Sequence, residues 1–320
     1  MSQELTDLLD LLDLERIEQD IFRGSSRASL VPRVFGGQVA AQALVAACRT
    51  VPAGRLPHSL HAYFLRPGDP GAHIVYTVDR IRDGRSFTTR RVVAVQHGQP
   101  IFHLSASFQT HEEGMEHQEP MPPAPDPETL PTAEEKVPRY RRELFVDPQV
   151  PERLLRARAA VDLRYVEEPP FARVGSRSEP RSQVWFRTNG KLDGELDDPM
   201  LHICLATYVS DMTLLDSVLL AHGRGGWAVG DVVGASLDHA MWFHRPFRAD
   251  EWLLYDQESP TAQGGRGLGK GRIFTRDGRL VVSVIQEGVV RVPRPRRAEA
   301  PGAAAGRSAD QPASPAADSR

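Results

Sequence analysis

Cysteine is scarce. The 320 residues hold two, Cys48 and Cys204, so neither a disulfide framework nor a cysteine-based zinc site is indicated, and a reduced setting is expected. An excess of either charge is also missing. Lys and Arg number 39 against 42 Asp and Glu, a net charge of −3, which gives no electrostatic case for nucleic acid; the Arg-rich stretch near 291–297 is local. No apolar run approaches the roughly 18–20 residues needed to cross a bilayer. The opening "MSQELTDLLDLLDLE" lacks the basic start and apolar run of a signal peptide, so a soluble protein without a membrane span is expected. Several catalytic motifs fail on context. No GxSxG occurs, since "GASLD" (234–238) stops short, and a hydrolase nucleophile elbow is unsupported. "GGRGLGKG" (264–271) has the Gly-x4-Gly-Lys spacing of a phosphate loop, but Gly271 stands where Ser or Thr should bind magnesium. The residues after it read as strand and turn, not helix. His111 and His117 have no ligand spacing, and no metal is expected.

What remains is ordinary globular material: 40% hydrophobic and 25% charged residues, enough for a sizeable core in two modest domains or one large one. Leu5, Leu8, Leu9, Leu12 and Ile17 recur at helical spacing, predicting an amphipathic helix over 4–22. "FGGQVAAQALVAAC" (35–48) is apolar nearly all round and predicts a helix buried on every side. Gly36 and Gly37 at its start allow a ligand or another backbone to come close. From 58 to 109 four strand-like runs alternate with turns. Residues 111–135 crowd six prolines among acids and read as an extended linker. A second long apolar helix is expected over 201–223, with strands at 235–243, 252–258, 265–275 and 280–292. The Ala/Pro/Arg-rich end, from about Pro293 onward, is expected to be disordered.

The two halves repeat. "YFLRPGD" (63–69) resembles "WFHRPFR" (242–248), with Arg66–Pro67 matching Arg245–Pro246, and Gly98 and Gly278 each precede an apolar strand at nearly the same distance onward. A buried helix followed by four or five antiparallel strands predicts a sheet wrapped around that helix. Two such units can join their sheets into one, which removes two exposed edges. The fold class is α+β.

Within this plan Asp211 stands out. On a helix its neighbours are Tyr208, Leu214, Leu215 and Val218, so its carboxylate needs a partner. Either a helix begins near 211 and Asp211 caps it, or it belongs to a site; Asp216 raises the same question. Gln286 is in phase with Val282 and Val284, and Ser236 opens a strand. The repeat places Ser236 opposite Pro57 and Gln286 opposite Ala106. These polar residues occur in one copy only, which favours one site per chain, built on the second half. His58, His61, His239 and His244 read as core or rim histidines.

Taken together, "RVFGGQVAAQAL", "HSLHAYFLRPGDP", "GRSFTTRRVVAVQHGQPIFHLSASFQ", "QVWFR", "YVSDMTLL", "LDHAMWFHRPFRADEWLLY" and "IQEGVVR" resemble the acyl-CoA thioesterase II family, over about residues 3–292. The resemblance implies a double hotdog: an N-terminal repeat over 1–112, a linker over 113–150, a C-terminal repeat over 151–293 carrying the catalytic residues, and a disordered tail over 294–320. It implies hydrolysis of fatty acyl-CoA to fatty acid and CoA, with no cofactor, by a water activated by Asp211 with Ser236 and Gln286. The family commonly has Thr where this chain has Ser236, so the hydroxyl is kept and the methyl is not. Arg245, Arg266 and Lys270 are the candidate cations for the CoA phosphates. A homo-oligomer, dimer or tetramer, is implied. The tail ends "ADSR", which is not a peroxisomal Ser-Lys-Leu address, so a cytoplasmic location is expected. Two competing readings are hydration of enoyl-CoA through an Asp238/His239 pair and an acyl-CoA-binding sensor. The first is weakened because strand neighbours point to opposite faces, and the second because a sensor predicts loss of the polar groups.

Overall fold

The computed structural model describes residues 2–26, 33–140, 143, 145–226 and 228–293. The stretch 294–320, expected to be a disordered tail, lies outside them. Helix α1 (Gln3–Leu12) begins at Ser2, whose side chain accepts from the Leu5 amide. It stops ten residues short of the expected span. Past Leu12 the buried positions, Leu14 and Phe22, lose helical spacing. Instead β1 (Glu15–Glu18) and β2 (Ile21–Gly24) form a hairpin whose second strand covers a sheet edge by pairing with Ile74–Asp83. Ile17, read as a helix-face residue, is 49% exposed.

Helix α2 (Gly36–Cys48) is buried over nearly its whole length, as its composition predicts. Strands β3 (Arg55–Phe64), β4 (Ile74–Asp83), β5 (Phe87–Gln96) and β6 (Gln99–Thr110) follow. After the proline-rich stretch come α3 (Ala133–Lys136), α4 (Val150–Arg158), β7 (Val161–Tyr165), β8 (Arg181–Thr188), α5 (Pro199–Ser210) and α6 (Asp216–Leu220). The last strands of the described residues are β9 (Val233–Ser236), β10 (Asp238–Phe243), β11 (Leu253–Gln263), β12 (Arg266–Thr275) and β13 (Leu280–Arg291). All of these strands lie in one antiparallel sheet, in the order β1-β2-β4-β5-β6-β3-β10-β13-β12-β11-β8-β7, with β9 on β13. The sheets of the two halves join where β3 pairs β10. This is a double hotdog, with α2 and α5 as the two wrapped helices and a core that runs continuously between them. β1, β2, β7 and β8 lie where the sequence pattern predicts no strand.

The internal repeat is visible bond by bond. Arg66 Nη1 donates to the Pro100 carbonyl at 2.7 Å, and Arg245 Nη1 to the Leu280 carbonyl at 3.0 Å. Beside them the Leu65 amide donates to Ile101 O and the His244 amide to Val281 O. Each Arg-Pro thus clips the end of one strand to the start of another. The linker stretch crosses the outer face of the second unit. There Met121, Ala124 and Leu130 cover Trp185, Trp252, Leu254 and Phe274, and Trp185 Nε1 donates to Pro125 O at 2.9 Å. Among the described residues no helix is long and apolar enough to cross a membrane.

Candidate active site

The helix expected over 201–223 is broken. α5 ends at Ser210, Asp211 is its C-terminal cap, and the chain turns through 211–215 before α6. Asp211 therefore neither sits inside a helix nor starts one. Side chains from other elements hold the turn: Arg158 Nη2 donates to Met212 O at 3.3 Å and Gln257 Nε2 to Thr213 Oγ1 at 2.6 Å. The glycines of "GGRGLGKG" explain how it lies so close to the sheet. A Cβ at Gly269 would stand 2.9 Å from Leu214, and one at Gly267 would stand 2.4 Å from Val218. That stretch is a strand thinned for packing.

The strand expected over 235–243 is also broken, and the break aims Ser236. β13 pairs Gly288 with Ser236 and Ile285 with Ala240. Four steps on the first strand therefore match three on its partner, which is a β-bulge at Leu237–Asp238. In β10 the even-numbered residues share the outer face with Ile285, while His239 and Met241 are buried. Without the bulge Ser236 would join that outer face. With it, Ser236 lies on the inner face beside Gly288 and Gln286. Asp238 Oδ1 accepts from the Glu287 amide at 2.7 Å, which satisfies a donor next to the bulge.

Three elements now converge on one carboxylate. Ser236 Oγ donates to Asp211 Oδ1 at 3.0 Å. The Gln286 Nε2 amide donates to the same oxygen. The Gly37 N–H, at the first turn of α2, also donates to the carboxylate. α2 and α5 lie so close that a Cβ at Gly36 would stand 2.6 Å from Asp211 Oδ2, and one at Gly37 2.3 Å from Tyr208 O. Only glycine fits such an approach. Burial pushes the Asp211 carboxyl above the usual carboxylate range, while Gln286, Ser236, the Gly37 N–H and the Arg33 charge oppose that shift. Gln286 is fully buried, and its Oε1 has no hydrogen-bond partner among the described residues. It is an acceptor held next to a carboxylate oxygen.

The carboxylate opens into a cavity of about 970 Å³, within the size range of small-molecule sites. On one side Phe64–Gly68, Ile101, Arg33 and the start of α2 line it; on the other lie Met212, Leu215, Leu219, Leu154, Val232 and Val289. α2 has no side-chain cap at its N-terminus, so the positive end of that helix faces the cavity. Arg245, Arg266 and Lys270 are not among the cavity-lining residues. Arg245 serves as the repeat's strand clip and also reaches His117 O, Arg266 pairs with Glu287 at 2.9 Å, and Lys270 pairs with Glu258 at 3.3 Å. The cations that do line the cavity are Arg33, Arg66 and Arg158. The Gly36–Gly37 pair is legible in the sequence as a close approach, but no local pattern marks Arg33 or Arg158. The Asp238/His239 pair is not assembled. His239 Nε2 meets Ser210 Oγ at 2.8 Å inside the core, and burial lowers its ring to about 4. Among the described residues no cluster of three or more His, Cys, Asp or Glu is placed to hold a metal ion.

Residues 155–289 match the acyl-CoA thioesterase family and residues 26–109 match the acyl-CoA thioesterase N-terminal domain. The chain is 43% identical to human acyl-coenzyme A thioesterase 8, covering 88% of each chain. It is 41% identical to acyl-CoA thioesterase 2 of Haemophilus influenzae, covering 91% of this chain and 99% of that one. Among solved structures, the acyl-CoA thioesterase II TesB2 from Mycobacterium marinum superposes with a TM-score of 0.72 at 46% identity, covering 89% of this chain and 98% of that one.

Proposed function

The chain belongs to the acyl-CoA thioesterase family, and from that premise we propose that it hydrolyses fatty acyl-CoA to fatty acid and CoA, using a water activated by Asp211 with Ser236 and Gln286. One observation carries the reading: Ser236 and Gln286 donate to a single oxygen of a half-buried carboxylate that opens into a cavity of about 970 Å³.

The chemistry follows from which atoms are engaged. Ser236 and Gln286 occupy Oδ1 and fix the plane of the carboxylate. A water bonded to the carboxylate gives one proton to Asp211 and turns its oxygen toward the thioester carbon. Gln286 does not itself line the cavity; it acts through its bond to Oδ1, which leaves Oδ2 to hold the water. As the carbon becomes tetrahedral, negative charge grows on the carbonyl oxygen. The N–H groups at the start of α2 other than that of Gly37 are the donors at hand for that charge. Collapse of the intermediate breaks the C–S bond, and the proton held by Asp211 goes to the departing thiolate. The products are a fatty acid and CoA thiol, and Asp211 returns to its starting state with no acyl-enzyme formed. The acyl chain lies along Met212, Leu215, Leu219 and Val232. The CoA portion leaves by the exposed rim at Leu65–Pro67, near Arg33 and Arg66. We assign the reacting groups to the C-terminal repeat, 151–293, and the helix start that faces them to the N-terminal repeat, 1–112.

The test is thiol release from a panel of acyl-CoAs from C4 to C18. Saturable release with a matching yield of free fatty acid is the expected result. Tight acyl-CoA binding with no thiol released would replace hydrolysis with an acyl-CoA sensor.

A further inference from the structure

A second, smaller cavity of about 240 Å³ lies beside the first. Its walls come from α3, α4, β7 and the 137–140 turn, including Lys136, Val137, Tyr140, Leu155, Ala159 and Val161. Two residues line both cavities, Leu154 and Arg158. Both belong to α4, and they stand between the two spaces as a thin partition.

The partition is held firmly. Arg158 Nη1 donates to the Tyr165 hydroxyl at 3.2 Å and Nη2 donates to Met212 O at 3.3 Å. The Tyr165 hydroxyl donates in turn to Asp216 Oδ2 at 3.1 Å. Leu154 packs with Phe145, Val150 and Ala228 in a small cluster separate from the main core. One side of the partition is the apolar arm of the main cavity. The other is a space that no step of the hydrolysis uses.

We propose that Leu154 and Arg158 set the upper limit of acyl chain length, by separating the acyl arm from a side cavity able to take the end of a longer chain. This rests on the hydrolytic reading above. An acyl chain anchored by its thioester at Asp211 extends toward Leu219 and Leu154, so its terminal methyl meets the partition first. Neither residue touches the reacting atoms, and their effect is on which chains fit.

The experiment compares kcat/KM for C8 and C16 acyl-CoA in wild type, Leu154→Ala and the milder Leu154→Val. The Ala variant is expected to raise the C16/C8 ratio at least fivefold, mainly through a lower KM for C16. The Val variant is expected to move the ratio in the same direction by a smaller factor. Adding Ala159→Leu, which fills only the side cavity, to either variant should return the ratio toward wild type. An unchanged ratio in a folded variant that still hydrolyses C8 overturns the proposal, as does a raised ratio that Ala159→Leu does not reverse. Should wild type release thiol from no acyl-CoA at all, the hydrolytic reading fails first, and that outcome is distinct from an unchanged ratio.

Discussion

The two repeats share a backbone and differ at the helix ends. One β-bulge recurs: β3 slips against β6 between Pro57 and Ser59, as the chain slips against β13 at Leu237–Asp238. In one unit the bulge sets a buried Pro57 inward, and in the other it sets Ser236. Leu60 faces Ala106 in the first unit, and the same register in the second brings His239 opposite Gln286. α5 starts with its own cap, Asp198, whose side chain accepts from the Met200 amide, whereas α2 starts without a side-chain cap. At the C-terminal ends the caps are Arg49 and Asp211. One junction therefore has a self-capped helix start, with the Arg49 side chain turned away to Leu14 O and Asp13, and the other has a helix start without a cap of its own facing a carboxylate. The scaffold is duplicated and the polar groups are not. The second half supplies the carboxylate and the first supplies the helix start it faces.

That contrast can be broken from either side. Gly37→Ala places a Cβ against Tyr208 O and pushes the two helix ends apart. We expect about a hundredfold loss in kcat, measured by thiol release, with the Gly98→Ala variant, in a distant turn, keeping near-normal kcat. Gln286→Leu removes a charge-assisted hydrogen bond and should cost on the order of tenfold in kcat/KM. The mirror change, Ala106→Gln, buries an amide with no partner. It should lower stability by about 1–3 kcal/mol in urea unfolding while leaving kcat intact.

The pH dependence sharpens the same comparison. Because burial raises the Asp211 carboxyl, the acid limb of kcat/KM should lie above the ordinary aspartate value of about 3.9. Activity should rise with pH through that limb as the base ionises. Gln286→Leu removes a bond that lowers this carboxyl, so the limb should move to higher pH in the residual activity. Asp216 adds a stability effect. Its carboxyl is raised to about 6 by burial, with Arg158 and Tyr165 opposing. The folded state thus binds a proton that the unfolded state has lost between about 4 and 6, and stability falls as pH rises through that window. Asp216→Asn should flatten this trend in Tm measured from pH 4 to 7. The smallest effect expected is from Ser236→Thr, which keeps the hydroxyl, and kcat should change by less than about threefold.

Much of this was legible in the sequence. Periodicity gave the buried helix at 35–48 and the long strands of both halves. The repeat singled out Ser236 and Gln286 by their apolar counterparts. Three things were not legible, and each is a tertiary effect. The end of α5 at Ser210 is fixed by Arg158, Gln257 and the thinned strand at Gly267–Gly269, none of which is local to it. The face on which Ser236 lies depends on a one-residue bulge, and alternation alone assigns it to the wrong side. The first turn of α2 reaches Asp211 only once the two helices pack antiparallel, so 174 residues of chain separate groups that touch.

The most direct measurement is thiol release by Asp211→Asn, alongside its thermal melt and its affinity for acyl-CoA. Asparagine keeps the shape and can still bond to Ser236 or Gln286, but it cannot take a proton from water. We expect a loss of about 10²–10⁴ in kcat, with folding and acyl-CoA binding retained. Undiminished turnover in a folded variant would contradict a water-activating Asp211.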